Sequence, residues 1–174
     1  MHQGLKYIRL SMRQIQSSRG TLVTIIVGFL LLLLYVAIFG FSGQDGDTSG
    51  NLSFHISELC VDFFNTVSGK NWSEVFMAEL VEYFENPIRK LAHFGEYAVM
   101  GILVHIILIQ WRKRDRYFYF ILFLWVLISA SVDEIHQYFV PGRYNSLIDV
   151  IIDTCGGMFG AFFCSVIYKF KKAK

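Results

Sequence analysis

The fold is decided by an uncharged run, TLVTIIVGFLLLLLYVAIFGF, which extends from Thr21 to Phe41. A bilayer core about 30 Å thick requires about 20 helical residues to cross it. This run is about twice as long as the apolar part of a signal peptide, and no small-residue cleavage site follows it cleanly. We therefore expect it to be a retained membrane-spanning helix.

The composition of the whole chain agrees with a membrane protein. Of its 174 residues, 54% are hydrophobic and 17% are aromatic, and the mean hydropathy is +0.45. These values exclude an ordinary soluble domain, and the length allows one compact unit. The three cysteines show no Cys-x-x-Cys spacing, so a disulfide framework is not expected.

Three later apolar stretches are further candidate spans. With the first, they predict an all-α, four-helix transmembrane bundle in a single membrane domain covering residues 1–174, with spans near 21–41, 90–111, 117–136 and 147–168. Asn86 and Pro87 favour a helix start just before the second span. The third span is short unless its helix continues through Asp133 and Glu134.

The basic residues predict the orientation of these spans. Twelve of the 16 lysines and arginines fall on one side of the four-span arrangement: Lys6, Arg9, Arg13, Arg19, Arg112, Lys113, Arg114, Arg116, Lys169, Lys171, Lys172 and Lys174. The segment 42–90 instead contains eight acids. Both termini are therefore expected in the cytoplasm, with 42–89 and 133–146 outside, in a multi-pass protein of the bacterial cytoplasmic membrane.

The long outer segment, 42–89, carries apolar residues at helical spacing. They form two sets: Leu52, Ile56, Leu59 and Phe63, then Trp72, Phe76, Leu80 and Tyr83 or Phe84. Asn71 followed by Glu74 resembles a capping box at the start of the second set. We expect two short amphipathic helices that lie on the outer leaflet or cover the bundle.

Ionisable residues gather at the outer ends of spans two, three and four. An acid inside a membrane costs about 2.5–3.5 kcal/mol, so such groups face the bundle interior, pair, or contact water. Helical spacing places several of them on common faces, as for His93 and Tyr97 or Asp149 and Asp153. We expect one outward-facing site formed by Lys90, His93, Glu96, Tyr97, Asp133, Glu134, His136, Gln137, Arg143, Asp149 and Asp153.

The fourth span also carries small residues at close-packing spacing. Gly156 and Gly160 form one such pair, and Gly157 and Ala161 form the next. Small residues four positions apart let a neighbouring helix approach closely. This pattern predicts that spans two and three lie near the face of Asp149 and Asp153.

Four motifs are spread over most of the chain, in the order FSGQ (41–44), RKLAHFGEYAVMG (89–101), DEIHQYFVPGR (133–143) and DVIIDTCGGMFG (149–160). Together they resemble the VanZ-like family of bacterial membrane proteins, which is associated with teicoplanin-type glycopeptide resistance. Asp153 stands where many members of that family have asparagine, which adds an acid to the site. The resemblance implies an envelope-associated role in glycopeptide tolerance, without a biochemical activity to carry over.

Binding without catalysis is the first class of function. Arg143 and Lys90 would hold a phosphate or carboxylate, with the arginine acting as a bidentate fork. The ligand would be an envelope lipid, a lipid-linked wall component or the antibiotic, and aromatic side chains would line the lipid side of the pocket: Tyr138, Phe139 and Tyr144. The lipid bilayer is an expected partner, nucleic acid is not, and a homo-oligomer is left open.

An intramembrane hydrolase or transferase acting on an envelope ester or phosphodiester is the alternative. Its catalytic candidates are Glu134 or Asp149 as general base, His136 or His93 as acid–base partner, and Arg143 as stabiliser of negative charge. No motif for a nucleophile elbow, a phosphate-binding loop or a His-Glu-x-x-His site is present, so whether the chain is an enzyme stays undecided. A metal-assisted variant, suited to zinc or manganese, would take ligands from His93, Glu96, Glu134, His136 and Asp149 or Asp153.

A purely structural interpretation is also open. In it, Arg143 pairs with Asp149 or Glu134, and Lys90 pairs with Glu96, so that the polar cluster locks the bundle. His105 is isolated on another face of span two and is expected to be a packed core residue.

Overall fold

The computed structural model describes residues 2–44, 46–111, 116–143 and 146–172, and their side chains except at 2–17, 19, 46–50 and 171–172. In these ranges the chain forms five α-helices and no strand: α1 (His2–Ser42), α2 (Gly46–Ser68), α3 (Glu74–Trp111), α4 (Phe118–Tyr138) and α5 (Leu147–Lys172). All but α2 are long and apolar enough to cross a membrane. The predicted all-α class with four spans is therefore confirmed.

The four long helices alternate in direction, as hydrogen bonds between their ends demonstrate. Trp111 Nε1 donates to Thr24 Oγ1 at 2.9 Å, which joins the end of α3 to the early part of the apolar segment in α1. The hydroxyls of Tyr119 and Ser165 are 2.9 Å apart, which joins the start of α4 to the last turns of α5. The end of α1, the end of α4 and the start of α5 therefore lie together at the opposite end of the bundle.

The interior of the bundle is apolar, and so is much of its surface. Its core contains Leu31, Ile38, Tyr97, Met100, Val104, Phe118, Leu122, Val126, Ala130 and Ala161. Many large apolar side chains also remain exposed along the spans, among them Phe29, Ile128 and Phe162. Soluble monomers rarely expose such continuous apolar surface, so these faces contact lipid. His105 is buried against the ring of Phe118, as expected for a core histidine.

The closest helix contact, between α3 and α5, runs through residues with little side-chain bulk. A Cβ atom added to Gly101 would collide with the backbone of Gly157, whose Cα would lie only 2.9 Å away. A Cβ atom on Gly160 would meet the backbone of Ala98 in the same way. The predicted close approach at the small residues of α5 is confirmed, and it brings the polar residues just above these glycines within reach of each other.

Helix α3 differs from the prediction, because it does not begin at Pro87. It runs without a break from Glu74 to Trp111 and includes Pro87 in its interior. Proline lacks an N–H group, so the helix gives up the bond to the carbonyl of Tyr83, while α2 packs beside this part of α3, where Ser53 Oγ donates to Glu85 Oε1 at 3.5 Å. The second amphipathic helix and the second span are thus one helix about 57 Å long, which is longer than a bilayer core is thick.

The start of α3 is capped by Ser73 and not by a capping box at Asn71. Phe76 N–H donates to Ser73 Oγ at 3.3 Å, which satisfies one of the free N–H groups of the first turn. Asn71 instead has a φ of 48°, in the left-handed region that asparagine tolerates better than most residues. It belongs to the turn between α2 and α3, and the capping-box prediction was wrong.

Helix α2 and the first half of α3 form a hairpin with apolar surfaces on its outside. Ser57 and Val61 of α2 are buried, whereas Leu59, from the predicted apolar face, is 70% exposed. An apolar groove of about 660 Å³ lies between the two helices, lined by Cys60, Val61, Phe64, Ser68, Trp72, Phe76, Leu80, Phe84 and Ile88. Exposed apolar surface of this kind fits the predicted contact with the outer leaflet.

Candidate functional site

Arg143 connects the linker after α4 to the end of α1. Its Nη1 donates to Gln137 Oε1 at 3.3 Å, its Nε to the carbonyl oxygen of Gln44 at 3.4 Å, and its Nη2 to that of Phe41 at 3.3 Å. Gly142, just before it, has a φ of 75°, which glycine adopts without strain. All three oxygens that accept these hydrogen bonds from the guanidinium are neutral.

Asp133 is 1% exposed and lies at the centre of the polar cluster. Its Oδ2 accepts hydrogen bonds from Ser42 Oγ at 3.0 Å and from Gln137 Nε2 at 3.2 Å. Its Oδ1 is buried and has no hydrogen-bond partner among the described residues. Buried acceptors are nearly always satisfied, so this oxygen requires an explanation.

Two other acids have partners that were not expected. Lys90 Nζ forms an ion pair with Asp149 Oδ1, which links α3 to α5. Glu134 Oε1 accepts a hydrogen bond from Ser146 N–H, where the positive end of the α5 dipole stabilises a carboxylate. The pairs suggested by the structural interpretation, Lys90 with Glu96 and Arg143 with Asp149 or Glu134, do not occur.

A polar pocket of about 100 Å³ lies between the middle of α3, the end of α4 with the linker after it, and the start of α5. Six of the eleven predicted site residues line it: Lys90, His93, Gln137, Arg143, Asp149 and Asp153. Arg89 also lines the pocket and was missed by sequence reasoning, although its place next to Lys90 in the second motif was a usable signal. A water molecule takes up about 30 Å³ in the liquid, so the pocket has the volume of about three water molecules. That is enough room for a group the size of a phosphate.

The other predicted residues lie around this pocket. Tyr97 is in the apolar core, and Glu134 holds the start of α5. The ring of His136 packs edge-on against Phe39, with centroids 5.4 Å apart, and does not line the pocket. Of the four catalytic candidates, only His93 and Asp149 therefore face the pocket.

A second pocket, mainly apolar and about 110 Å³ in volume, lies between the end of α1, the first half of α2 and the middle of α3. It is lined by Phe41, Gln44, Leu52, Ser53, Ile56, Ile88, Arg89, Ala92, His93, Glu96 and Arg143. Because Arg89, His93 and Arg143 line both pockets, the polar and apolar pockets are adjacent.

Helix geometry sets the depth of the pocket. The segment of α3 from Lys90 to Trp111 is about 32 Å long, close to the thickness of a bilayer core. A bilayer with Trp111 at one interface would therefore have Lys90 and the polar pocket near the other. Tyr138 and Phe139 are exposed at this same level, whereas Tyr144 is outside the described residues.

Two guanidinium groups are close to each other at the pocket. Burial lowers the pKa of Arg143, and the nearby charge of Arg89 lowers it further, while Asp133 and Glu134 act in the opposite direction. Arg89 donates to Asn86 Oδ1 at 3.3 Å, and no ion pair joins either arginine to a carboxylate in the described part of the chain. Like charges held this way favour the binding of an anion.

Among the metal ligands predicted from sequence, the structure brings His93 and Asp153 together. Their ligand atoms and one from Asp133 all lie within 4.8 Å of one another. Glu134 and Asp149 are engaged with Ser146 and Lys90. The set with metal-site geometry thus shares two members with the predicted set and adds Asp133.

The fold and the site define a multi-pass, all-α membrane protein with a polar pocket at one end of its helices. A family model described as VanZ/LLP1 matches residues 27–168, and the chain belongs to that family. No curated protein and no solved structure matches it. The matched region includes all four motifs and every residue that lines the polar pocket.

Proposed function

We propose that this VanZ/LLP1 protein binds the phosphate head group of an envelope lipid or lipid-linked wall component in an outward-facing pocket of the bacterial cytoplasmic membrane. By this binding it contributes to resistance against teicoplanin-type glycopeptides, as the family resemblance implies. The observation that carries the proposal is that Arg89 and Arg143 both line a phosphate-sized pocket, with hydrogen bonds only to neutral oxygens among the described residues.

Phosphate suits these groups better than other anions of the envelope. A guanidinium presents several N–H donors in a planar fork that matches two phosphate oxygens. Lys90 is already paired with Asp149, so the two arginines supply the positive charge that is available to a ligand. The pocket lies at the depth where lipid head groups meet the hydrocarbon core.

The apolar pocket next to these arginines supports a lipid over a free phosphate. Leu52, Ile56 and Ile88 line it, and it shares Arg89 and Arg143 with the polar pocket. A lipid whose head group contacts the arginines would therefore place the start of its chain against apolar side chains. Such burial adds about 0.8 kcal/mol for each methylene group.

The positions of the acids favour binding over catalysis. A general base needs an available lone pair within hydrogen-bond reach of the proton that it removes. Glu134 is held by Ser146 N–H, and Asp149 by Lys90. His136 packs against Phe39 outside the lining of the pocket. For three of the four catalytic candidates, a structural contact thus accounts for the presence of the residue without a catalytic role.

Binding is tested with two lipids that differ only in the phosphate. The purified protein is reconstituted with dioleoyl phosphatidic acid or with dioleoylglycerol, and bound lipid is counted by native mass spectrometry. We expect wild type to prefer the phosphate lipid and Arg89→Gln to bind it about 10-fold more weakly or worse, since a charge-assisted hydrogen bond contributes about 1.5–3 kcal/mol. Lys70→Gln, which removes a charge in the turn between α2 and α3, is the control and should match wild type.

The cellular role is tested in a glycopeptide-susceptible bacterium. We expect wild type and Lys70→Gln to raise the inhibitory concentration of teicoplanin and Arg89→Gln to fail, at equal amounts in the membrane. Equal binding of the two lipids, or full resistance from Arg89→Gln, would contradict the proposal. If teicoplanin itself bound to protein free of lipid, the antibiotic and not a lipid would be the ligand of the pocket.

A further inference from the structure

We infer that a divalent cation binds next to the polar pocket, between His93 of α3, Asp133 of α4 and Asp153 of α5. Each residue contributes one ligand atom, and the three atoms lie within 4.8 Å of one another. Ligands bound at about 2.1 Å to one tetrahedral ion lie about 3.4 Å apart, so side-chain shifts of up to about 1 Å would complete the site. Three helices thus meet at one point with one ligand each.

Each of the three residues also has a buried polar atom without a hydrogen-bond partner in the described part of the chain. His93 Nδ1, Asp133 Oδ1 and Asp153 Oδ1 are all buried and have no hydrogen-bond partner among the described residues. Asp133 is 1% exposed and Asp153 is 3% exposed. Two carboxylates buried so deeply require neutralisation.

Within the part of the chain that the structure describes, no lysine or arginine forms an ion pair with Asp133 or Asp153. Lys90 pairs with Asp149, and Arg143 donates to Gln137 and to backbone carbonyls. His93 Nδ1 is 3.7 Å from Glu96 Oε2, which is too far for a hydrogen bond. One cation held by these three residues would neutralise the two buried carboxylates.

The surroundings hold one of the ligands in the required orientation. Ser42 and Gln137 both donate to Asp133 Oδ2. This leaves Oδ1 for the cation, and hydrogen bonds of this kind are typical around ligating carboxylates. The close approach of Gly101 to Gly157 fixes α3 against α5, and hence the position of His93 relative to Asp153.

The donor set indicates the kind of metal. One imidazole nitrogen with two carboxylate oxygens suits zinc or manganese better than magnesium or calcium, which prefer oxygen ligands. Three protein ligands leave at least one coordination position open. His93 and Asp153 also line the polar pocket, so this position faces the ligand. The assignment of a phosphate oxygen as the fourth ligand rests on the proposed function, whereas the inference of the metal site does not.

The test uses the metal alone. Purified full-length protein in detergent is stripped with chelator, titrated with ZnCl₂ or MnCl₂, and analysed by calorimetry and by elemental analysis after desalting. We expect about one ion per chain, with Asp153→Asn and Asp133→Asn each weakening the affinity more than 10-fold. Asp62→Asn, which removes an exposed acid on α2, should stay within about twofold of wild type.

A second measurement covers variants that fail to fold. Electron paramagnetic resonance of manganese-loaded wild type should show coupling to one imidazole nitrogen, which only His93 supplies among the three ligands. The inference would be overturned if wild type bound no metal in the titration or if Asp153→Asn bound it with unchanged affinity. A spectrum without nitrogen coupling would overturn it as well. Because no lipid is added, a failure of phosphatidic acid binding would leave these results unaffected.

Discussion

At the scale of single residues, the site depends on hydrogen bonds that cross between helices. Ser42 is the example, because its hydroxyl donates to the buried Asp133 carboxylate of a different helix. Ser131 is its natural comparison, since its hydroxyl donates only to the Leu127 carbonyl of its own helix. Comparing variants of the two serines therefore distinguishes the contribution of a hydrogen bond between helices from that of a bond within one helix.

The first prediction follows from this pair. Ser42→Ala should lower the stability by about 1–3 kcal/mol, because a buried carboxylate loses a donor that nothing replaces. Ser131→Ala should change it by less than about 0.5 kcal/mol. Thermal unfolding in detergent, followed by circular dichroism, measures both. Equal unfolding temperatures for the two variants would show that the Ser42 bond contributes nothing.

At the scale of helices, the α3–α5 interface positions the site. Gly101 must be glycine because a methyl group there would collide with the backbone of Gly157. Gly95 lies on the same helix, but a Cβ atom added to it would meet nothing within 4 Å. The two positions differ in packing while sharing the same backbone conformation.

The second prediction uses that contrast. Gly95→Ala should leave stability unchanged or raise it by up to about 1 kcal/mol, since alanine favours a helix over glycine. Gly101→Ala should lower it, by about 1–3 kcal/mol, because overpacking forces the helices apart. It should also weaken metal binding through the displaced His93. The stability of each variant is measured as its unfolding midpoint, and its metal affinity by titration. Equal stability of Gly101→Ala and Gly95→Ala would argue against the close interface.

Pro87 shows where helix-level reasoning from sequence failed. A proline after asparagine is a common helix start, yet α3 continues through it. The lost backbone bond is a local cost, whereas the packing of α2 against α3 is a tertiary contribution that local patterns do not contain. The outcome is one long helix that holds both the outer hairpin and the pocket.

At the scale of the whole molecule, the sidedness of the membrane stays a prediction from charge. Most of the basic residues that support it have side chains outside the described part of the chain, with Arg116 and Lys169 as described members. Helix α3 runs without a break from the α2–α3 turn to the polar pocket and then through the span, so the turn and the pocket share one side of the span and a single experiment on the turn reports the side of the pocket as well.

The third prediction concerns that side. In a chain with Cys60, Cys155 and Cys164 replaced by serine, Lys70→Cys should react with an impermeant maleimide on intact cells. Lys169→Cys should react only after the membrane is permeabilised, because basic residues are retained inside. Labelling is quantified by gel shift. The reverse pattern would put the pocket in the cytoplasm and remove an outer-envelope ligand from consideration.

Patterns along the chain were enough to determine the all-α class, the four spans and the collection of polar residues at one end. Helix length, hydropathy and charge are one-dimensional properties, and a membrane makes them decisive because it allows few alternatives. Six of the pocket residues followed from the alternation of the spans alone.

Only the tertiary structure decided which of these residues are partners. Lys90 binds Asp149, Glu134 binds Ser146, and Asp133 lies with His93 and Asp153. Such choices depend on the rotation and axial offset of each helix within a few ångströms. The backbone contact of Gly101 with Gly157 sets that offset, and residue spacing within one helix contains no information about it.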